Sequence, residues 1–194
     1  MLHRFSLVVL ALSLIASSTF VLGDEPKTEA PASFAIGEND AMTLVPAKAW
    51  KKKTPRTKIV EHEFEVPVVE GDEIPGRLTV MGSGGSIDEN VNRWLGQFTD
   101  AAGKGLTRDK AKVEKLSIGG LTVHYVDLSG TYKDAPGGPF AGGATTLREN
   151  YRMLGAIIEN KTAGNYFLKL YGPKATIEAN EKPFQDFVNS LKAK

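Results

Sequence analysis

Two glycine-centred turns in the second half of the chain constrain its fold most. Residues 113–118 and 121–132 are strand-like runs separated only by Gly119-Gly120. A two-residue connection in which both residues accept positive φ is the chemistry of a tight antiparallel hairpin. Residues 151–159 and 165–171 repeat the arrangement around the turn 160–164, and Pro173 closes that strand pair. Adjacent hairpins build an antiparallel sheet, and its apolar face needs a cover. Two amphipathic stretches supply it. Ile87, Val91, Trp94, Leu95 and Phe98 recur at helical spacing over residues 87–98, and Ser86 with Glu89 three residues on forms a capping box that starts the helix. Phe184, Phe187, Val188 and Leu191 mark a terminal helix with Pro183 in its first turn. The expected fold is α+β: an antiparallel β-sheet covered by two amphipathic helices.

The first half adds strands. Residues 59–66 alternate, with Val60, His62, Phe64 and Val66 on one side and Glu61, Glu63 and Glu65 on the other, which predicts a half-buried strand with an acidic outer face. Residues 78–81 read as a second strand, and residues 42–45 with Trp50 as another ahead of both. Residues 24–40 are polar and Pro-bearing apart from Phe34 and Ile36 and read as a flexible linker. Before them stand His3 and Arg4, an apolar run over residues 5–15, and Val21-Leu22-Gly23. That order is a secretory signal peptide, expected to be cleaved near Asp24, with an uncleaved anchor as the alternative. The expected division is signal peptide 1–23, linker 24–40 and one α+β domain over 41–194, with no integral membrane segment after cleavage.

Of the 24 Lys and Arg only Arg4 precedes residue 24, and none of the 23 Asp and Glu does, so the remainder is formally neutral. Such a balance argues against nucleic-acid binding, which needs a clustered basic footprint. The basic run Lys51-Lys52-Lys53, with Arg56 and Lys58, reads as a solvated turn. There is no cysteine, so the domain holds together through its core alone, without disulfides, thiolate nucleophiles or Cys-bound zinc.

Chemistry-bearing residues are sparse. His62 and His124 each alternate with apolar neighbours and read as partly buried, hydrogen-bonded histidines. If their strands are neighbours, the pair plus Glu63 or Asp127 makes a metal site, and this is the alternative reading: a metal-binding or hydrolytic protein centred on His62 and His124. No serine completes a nucleophile elbow, and Asp88 and Glu89 suit the first turn of a helix better than paired catalysis. The glycine-rich residues 82–86 read as a tight strand-to-helix turn rather than a phosphate cradle, since Asp88 and Glu89 repel an anion there. No cofactor is implied. Asn90, Arg93 and Gln97 form one ridge of hydrogen-bonding groups along the first helix, on its outer side, and are candidate ligand-binding residues beside Trp94 for a peptide or a carboxylate. Trp94 itself reads as core. Residues 133–146, rich in Gly and Pro, are expected to be a mobile loop, with Phe140 as a candidate contact for a partner.

The element order resembles the fold of the PsbP family of photosystem lumenal proteins and of the Ran-binding Mog proteins. The phrases at residues 92–98 (NRWLGQF), 126–132 (VDLSGTY) and 169–173 (KLYGP) resemble a group of uncharacterised exported bacterial proteins, over about residues 42–191. The closer resemblance implies an exported domain of unknown activity, and the wider one implies noncatalytic binding to a partner protein. The expected function is therefore an exported noncatalytic binding or interaction module of the cell envelope, periplasmic or extracellular, engaging an envelope protein or a small ligand.

Overall fold

The computed structural model describes residues 31–135, 144–160 and 164–194. In chain order its elements are β1 (Phe34–Ile36), β2 (Met42–Leu44), β3 (Lys51–Lys53), β4 (His62–Val66), β5 (Gly76–Ser83), α1 (Ile87–Leu95), β6 (Phe98–Thr99), β7 (Lys112–Ile118), β8 (Leu121–Asp134), β9 (Thr146–Ile158), β10 (Asn165–Pro173), α2 (Lys174–Ala179), α3 (Glu181–Asn189) and β11 (Lys192–Ala193). Among the described residues the strands form two sheets. The larger is antiparallel, with the order β3-β4-β5-β10-β9-β8, and β7 and β6 pair with successive parts of β8. The smaller joins β1, β2 and β11.

Both expected hairpins are present. Ile118 pairs with Leu121 across Gly119 and Gly120, whose φ values of 58° and 79° are the left-handed pair such a turn requires. Ile158 pairs with Tyr166 at the head of the second. Strand alternation then sorts the apolar residues onto two faces. Leu78, Val80, Leu154, Ala156, Leu168 and Leu170 pack with Phe184, Phe187 and Val188 of α3 and with Ile36, Met42 and Leu44 of the small sheet. On the opposite face Val126, Leu128, Met153, Ile157 and Phe167 pack with Val91, Trp94 and Leu95 of α1. The two helices thus cover opposite faces of one sheet. Among the described residues no helix is long and apolar enough to cross a membrane.

Three local expectations are corrected. Residues 34–36 belong to no linker: Phe34–Ile36 pairs with Met42–Leu44, and Ile36 is buried, because these two apolar side chains complete the α3-side core. The first helix stops at Leu95, where Gly96 caps it. Phe98 is instead in β6, paired with Tyr132 on the free edge of β8, and is fully buried from there. The connection 133–146 is shorter than expected, because Lys133 pairs with Leu147 and Asp134 with Thr146, extending β8 and β9 to either side of it. Phe140 and the signal segment 1–23 lie outside the described residues. At the other edge, β3 presents three exposed lysines, charges that discourage a further strand from pairing there.

Candidate functional site

Alternation places Glu63 on β4, Arg77 and Thr79 on β5, and Phe167, Lys169 and Tyr171 on β10 along the face that α1 covers. The helix spans only part of that face, leaving a cavity of about 580 Å³ between α1, the sheet and residues 56–60. The start of α1 is well defined. Ser86 Oγ accepts from the Glu89 N–H at 3.2 Å and Glu89 Oε2 accepts from the Ser86 N–H at 2.7 Å, the reciprocal pair the sequence predicted. Trp94 lies flat over Gly155, where any Cβ would come within 2.4 Å of the indole ring, so the close approach of helix and sheet depends on that glycine.

Asn90, Arg93 and Gln97 all line this cavity rather than facing away from the sheet. The ridge stands about 110° from the centre of the apolar stripe at roughly 100° per residue, so it flanks the stripe on the side where the sheet is uncovered. Asn90 is 4% exposed, its amide donating to the Ser86 and Gly84 carbonyls and its Oδ1 accepting from Arg93. Gln97 Oε1 accepts from Lys169 Nζ at 2.5 Å.

Lys169 is the centre of the site, and the sequence reading passed over it. It is half-buried by surface area, with its ammonium 4.4 Å from the ring centre of Tyr171 and 5.1 Å from that of Tyr132. Burial, reinforced by the charge of Arg77 and opposed by Asp134, pushes its pKa down to about 7. The signal that finds it is local: a lysine with Phe167 and Tyr171 two residues to either side, on one strand face, sits among aromatics rather than in solvent.

Beside it, Arg77 makes a bidentate pair with Glu63, with both N···O distances 2.8 Å, and donates to Tyr171 Oη at 2.6 Å. Glu63 is 3% exposed, which corrects the acidic outer face expected of this strand. Burial works against its carboxylate, but hydrogen bonds from Arg77 and from the Arg56 N–H outweigh it, and its pKa stays below the usual range. Of the three glutamates on this side only Glu63 is buried, because α1 and residues 56–60 cover the middle of that face, while Glu61 is exposed and Glu65 partly so.

The histidines are not brought together. β5, β10 and β9 lie between β4 and β8, so His62 and His124 stand four strand spacings, roughly 19 Å, apart and on opposite faces. His62 Nε2 is 3.2 Å from the Ala35 carbonyl, under the Phe34 ring, and His124 Nε2 is 2.5 Å from Glu159. Glu63 is committed to Arg77, and Asp127 to Arg152, which also holds Glu181. Among the described residues no group of three or more such ligands could hold a metal ion. A smaller cavity of about 190 Å³ lies beside α3, and Asp127 and Glu181 on its wall are the partners of Arg152.

The architecture and cavity define an α+β sandwich with a ligand-sized pocket under its first helix. Its chain course is similar to that of cyanobacterial PsbP (CyanoP) from Synechocystis sp. PCC 6803, at 12% identity and a TM-score of 0.49 over 89% of this chain and 99% of that one. It is also similar to a protein of unknown function, PA94, from Pseudomonas aeruginosa (13%, TM-score 0.44, 84% of this chain and 97% of that one). A third similarity is to a Bacteroides thetaiotaomicron protein (10%, TM-score 0.44, 86% of this chain), of which this chain spans about half the length, 49%. No protein-family model and no curated protein matches the sequence.

Proposed function

We propose that this chain is an exported, noncatalytic binding module of the cell envelope and that its ligand is a small organic molecule held in the cavity under α1. The observation that carries the reading is the cavity itself. Its volume falls in the ~300–1,000 Å³ range of small-molecule sites, and it combines apolar walls with a few convergent polar groups. Trp94, Phe167 and Met81 supply apolar surface, and Lys169, Gln97 and Arg93 supply polarity and charge. A noncatalytic role is supported by how the polar groups are used. Among the described residues Glu63 is committed to Arg77 and the two histidines stand apart from the cavity, so neither the Glu63 carboxylate nor an imidazole is set beside Lys169 inside it. Export rests on the N-terminal pattern of His3, Arg4 and the apolar run that follows.

The test is retention. The purified protein is incubated with the small-molecule fraction of an envelope extract, dialysed, and weighed by native mass spectrometry. A retained mass is expected, together with its loss in Met81→Trp, which narrows the cavity while circular dichroism reports an intact fold. No retained mass, or equal retention by Met81→Trp, overturns the reading.

A further inference from the structure

The cavity contains a cation without a counter-ion. Lys169 Nζ meets one amide oxygen and two tyrosine faces, and among the described residues no carboxylate lies within ion-pair distance of it. Glu63 is held by Arg77 and Arg56, and Asp134 pairs with Arg148. Residues 136–143, which follow the cavity wall at Ala135, contain no Asp or Glu in their sequence. A desolvated ammonium without an opposite charge is costly, and in an open cavity a solute can supply what the chain does not.

The surroundings specify that solute. Arg56, Arg77, Arg93, Lys133 and Lys169 line the cavity with one acid, Asp134, and Glu63 behind the wall neutralises Arg77, so the balance inside is still positive and favours an anion. Gln97 uses Oε1 toward Lys169, which leaves the N–H groups of the same amide to donate. Two donor groups, one from β10 and one from the turn between α1 and β6, suit a carboxylate. A phosphate dianion gathers more donors, and the N-terminus of α1, the usual source, is occupied by its own Ser86–Glu89 capping box. Beyond the polar end, Trp94 and Phe167 meet edge to face with centroids 6.1 Å apart, and Met81 and Val60 continue the apolar wall.

Resting on the reading of the cavity as a binding site, we propose that its ligand is an amphipathic monocarboxylate. Its carboxylate bridges Lys169 Nζ and the Gln97 amide, and its compact, aromatic or branched apolar body lies against Trp94 and Phe167. Because Lys169 titrates near pH 7 in the free protein, a bound carboxylate recharges it, and binding takes up a proton above that pH.

Titration calorimetry of the purified protein with 3-phenylpropionate and indole-3-acetate, against the matching neutral amides and phenyl phosphate, tests this. The acids are expected to bind at least about tenfold more tightly than the amides and the phosphate. Lys169→Met removes the acid's advantage, so that acid and amide bind the variant with similar affinity. Between pH 7 and 9 the acid's affinity falls by up to about tenfold for each step of one in pH, and buffers of different ionisation enthalpy record uptake approaching one proton at pH 8. Amides that bind as well as acids, or acid binding indifferent to Lys169→Met, overturn the carboxylate assignment and leave the cavity reading intact. Tighter binding of the phosphate also overturns it. Should no probe bind at up to about 5 mM, the assignment fails, and the retention experiment with Met81→Trp then decides whether the cavity reading fails with it.

Discussion

Replacing Lys169 by methionine should make the protein more stable, and the gain should vanish at alkaline pH. Methionine has a similar length and no charge, so it keeps contact with Tyr132 and Tyr171 while removing the ammonium that burial disfavours. For a lysine whose pKa falls from 10.5 in the unfolded chain to about 7 in the folded one, each tenfold loss of proton affinity costs the protonated native state about 1.4 kcal/mol, or about 5 kcal/mol in full. Water still reaches the half-buried side chain and screens part of this, and Gln97 loses a donor. A net gain of about 2–3 kcal/mol near pH 6 is therefore expected, or roughly 4–12 °C in Tm for a domain of this size. The sign follows from proton counting. Below pH 7 both folded and unfolded chains carry the proton and the penalty is complete. From pH 7 to about 10.5 the folded protein gives it up first, so wild-type stability climbs relative to the variant until the two converge. Urea unfolding of both proteins at pH 6, 7, 8, 9 and 10, followed by tryptophan fluorescence, measures that difference directly. Destabilisation by more than about 1 kcal/mol, or a gain that does not change between pH 7 and 10, would falsify the claim that Lys169 is a desolvated cation without a partner.

The remaining predictions address packing and charge. Gly155→Ala drives a methyl group into the Trp94 indole and should cost about 1–3 kcal/mol, while Trp94→Ala or Phe98→Ala should each cost about 3–5 kcal/mol; urea midpoints check all three, and losses below about 1 kcal/mol at Gly155 and Trp94 would mean that α1 does not rest on the sheet, and at Phe98 that β6 does not bury its ring. Glu63→Gln leaves the Arg77 guanidinium buried without its counter-charge and should lose about 3 kcal/mol in thermal unfolding; a neutral result would show that the pair is solvated. Burial holds His62 below its ordinary pKa of 6.5, so its folded form resists protonation and stability falls as pH drops through that value; His62→Leu should lose less stability than wild type between pH 6.5 and 5, and parallel curves would refute the burial of this ring.

What the sequence by itself determined lies within a few residues of each signal. The paired glycines at 119 and 120 specify a turn through their own φ angles, and Ser86 with Glu89, three residues on, closes a capping box; both are local chemistry and both are present as read. The two adjacent hairpins likewise implied a sheet with helices as its cover. Alternation assigns residues to faces, however, and does not say what lies over each face. Glu63 reads as solvent-facing until β5 places Arg77 beside it and the second face of the sheet is covered. Asn90, Arg93 and Gln97 read as an outer ridge until the length of α1 is set against the width of the sheet it leaves bare. Phe34 and Ile36 look like stray apolar groups in a linker until β11, more than 150 residues away, joins β2 beside them. The same holds for the histidines, whose separation is a matter of strand order, which hairpin chemistry does not encode. Lys169 shows the division most sharply: two aromatic neighbours on its own strand hint at a sheltered position, but only the fold, by bringing Tyr132 and Gln97 to it and, among the described residues, no carboxylate within ion-pair distance, makes it a charge without a paired counter-ion in a cavity.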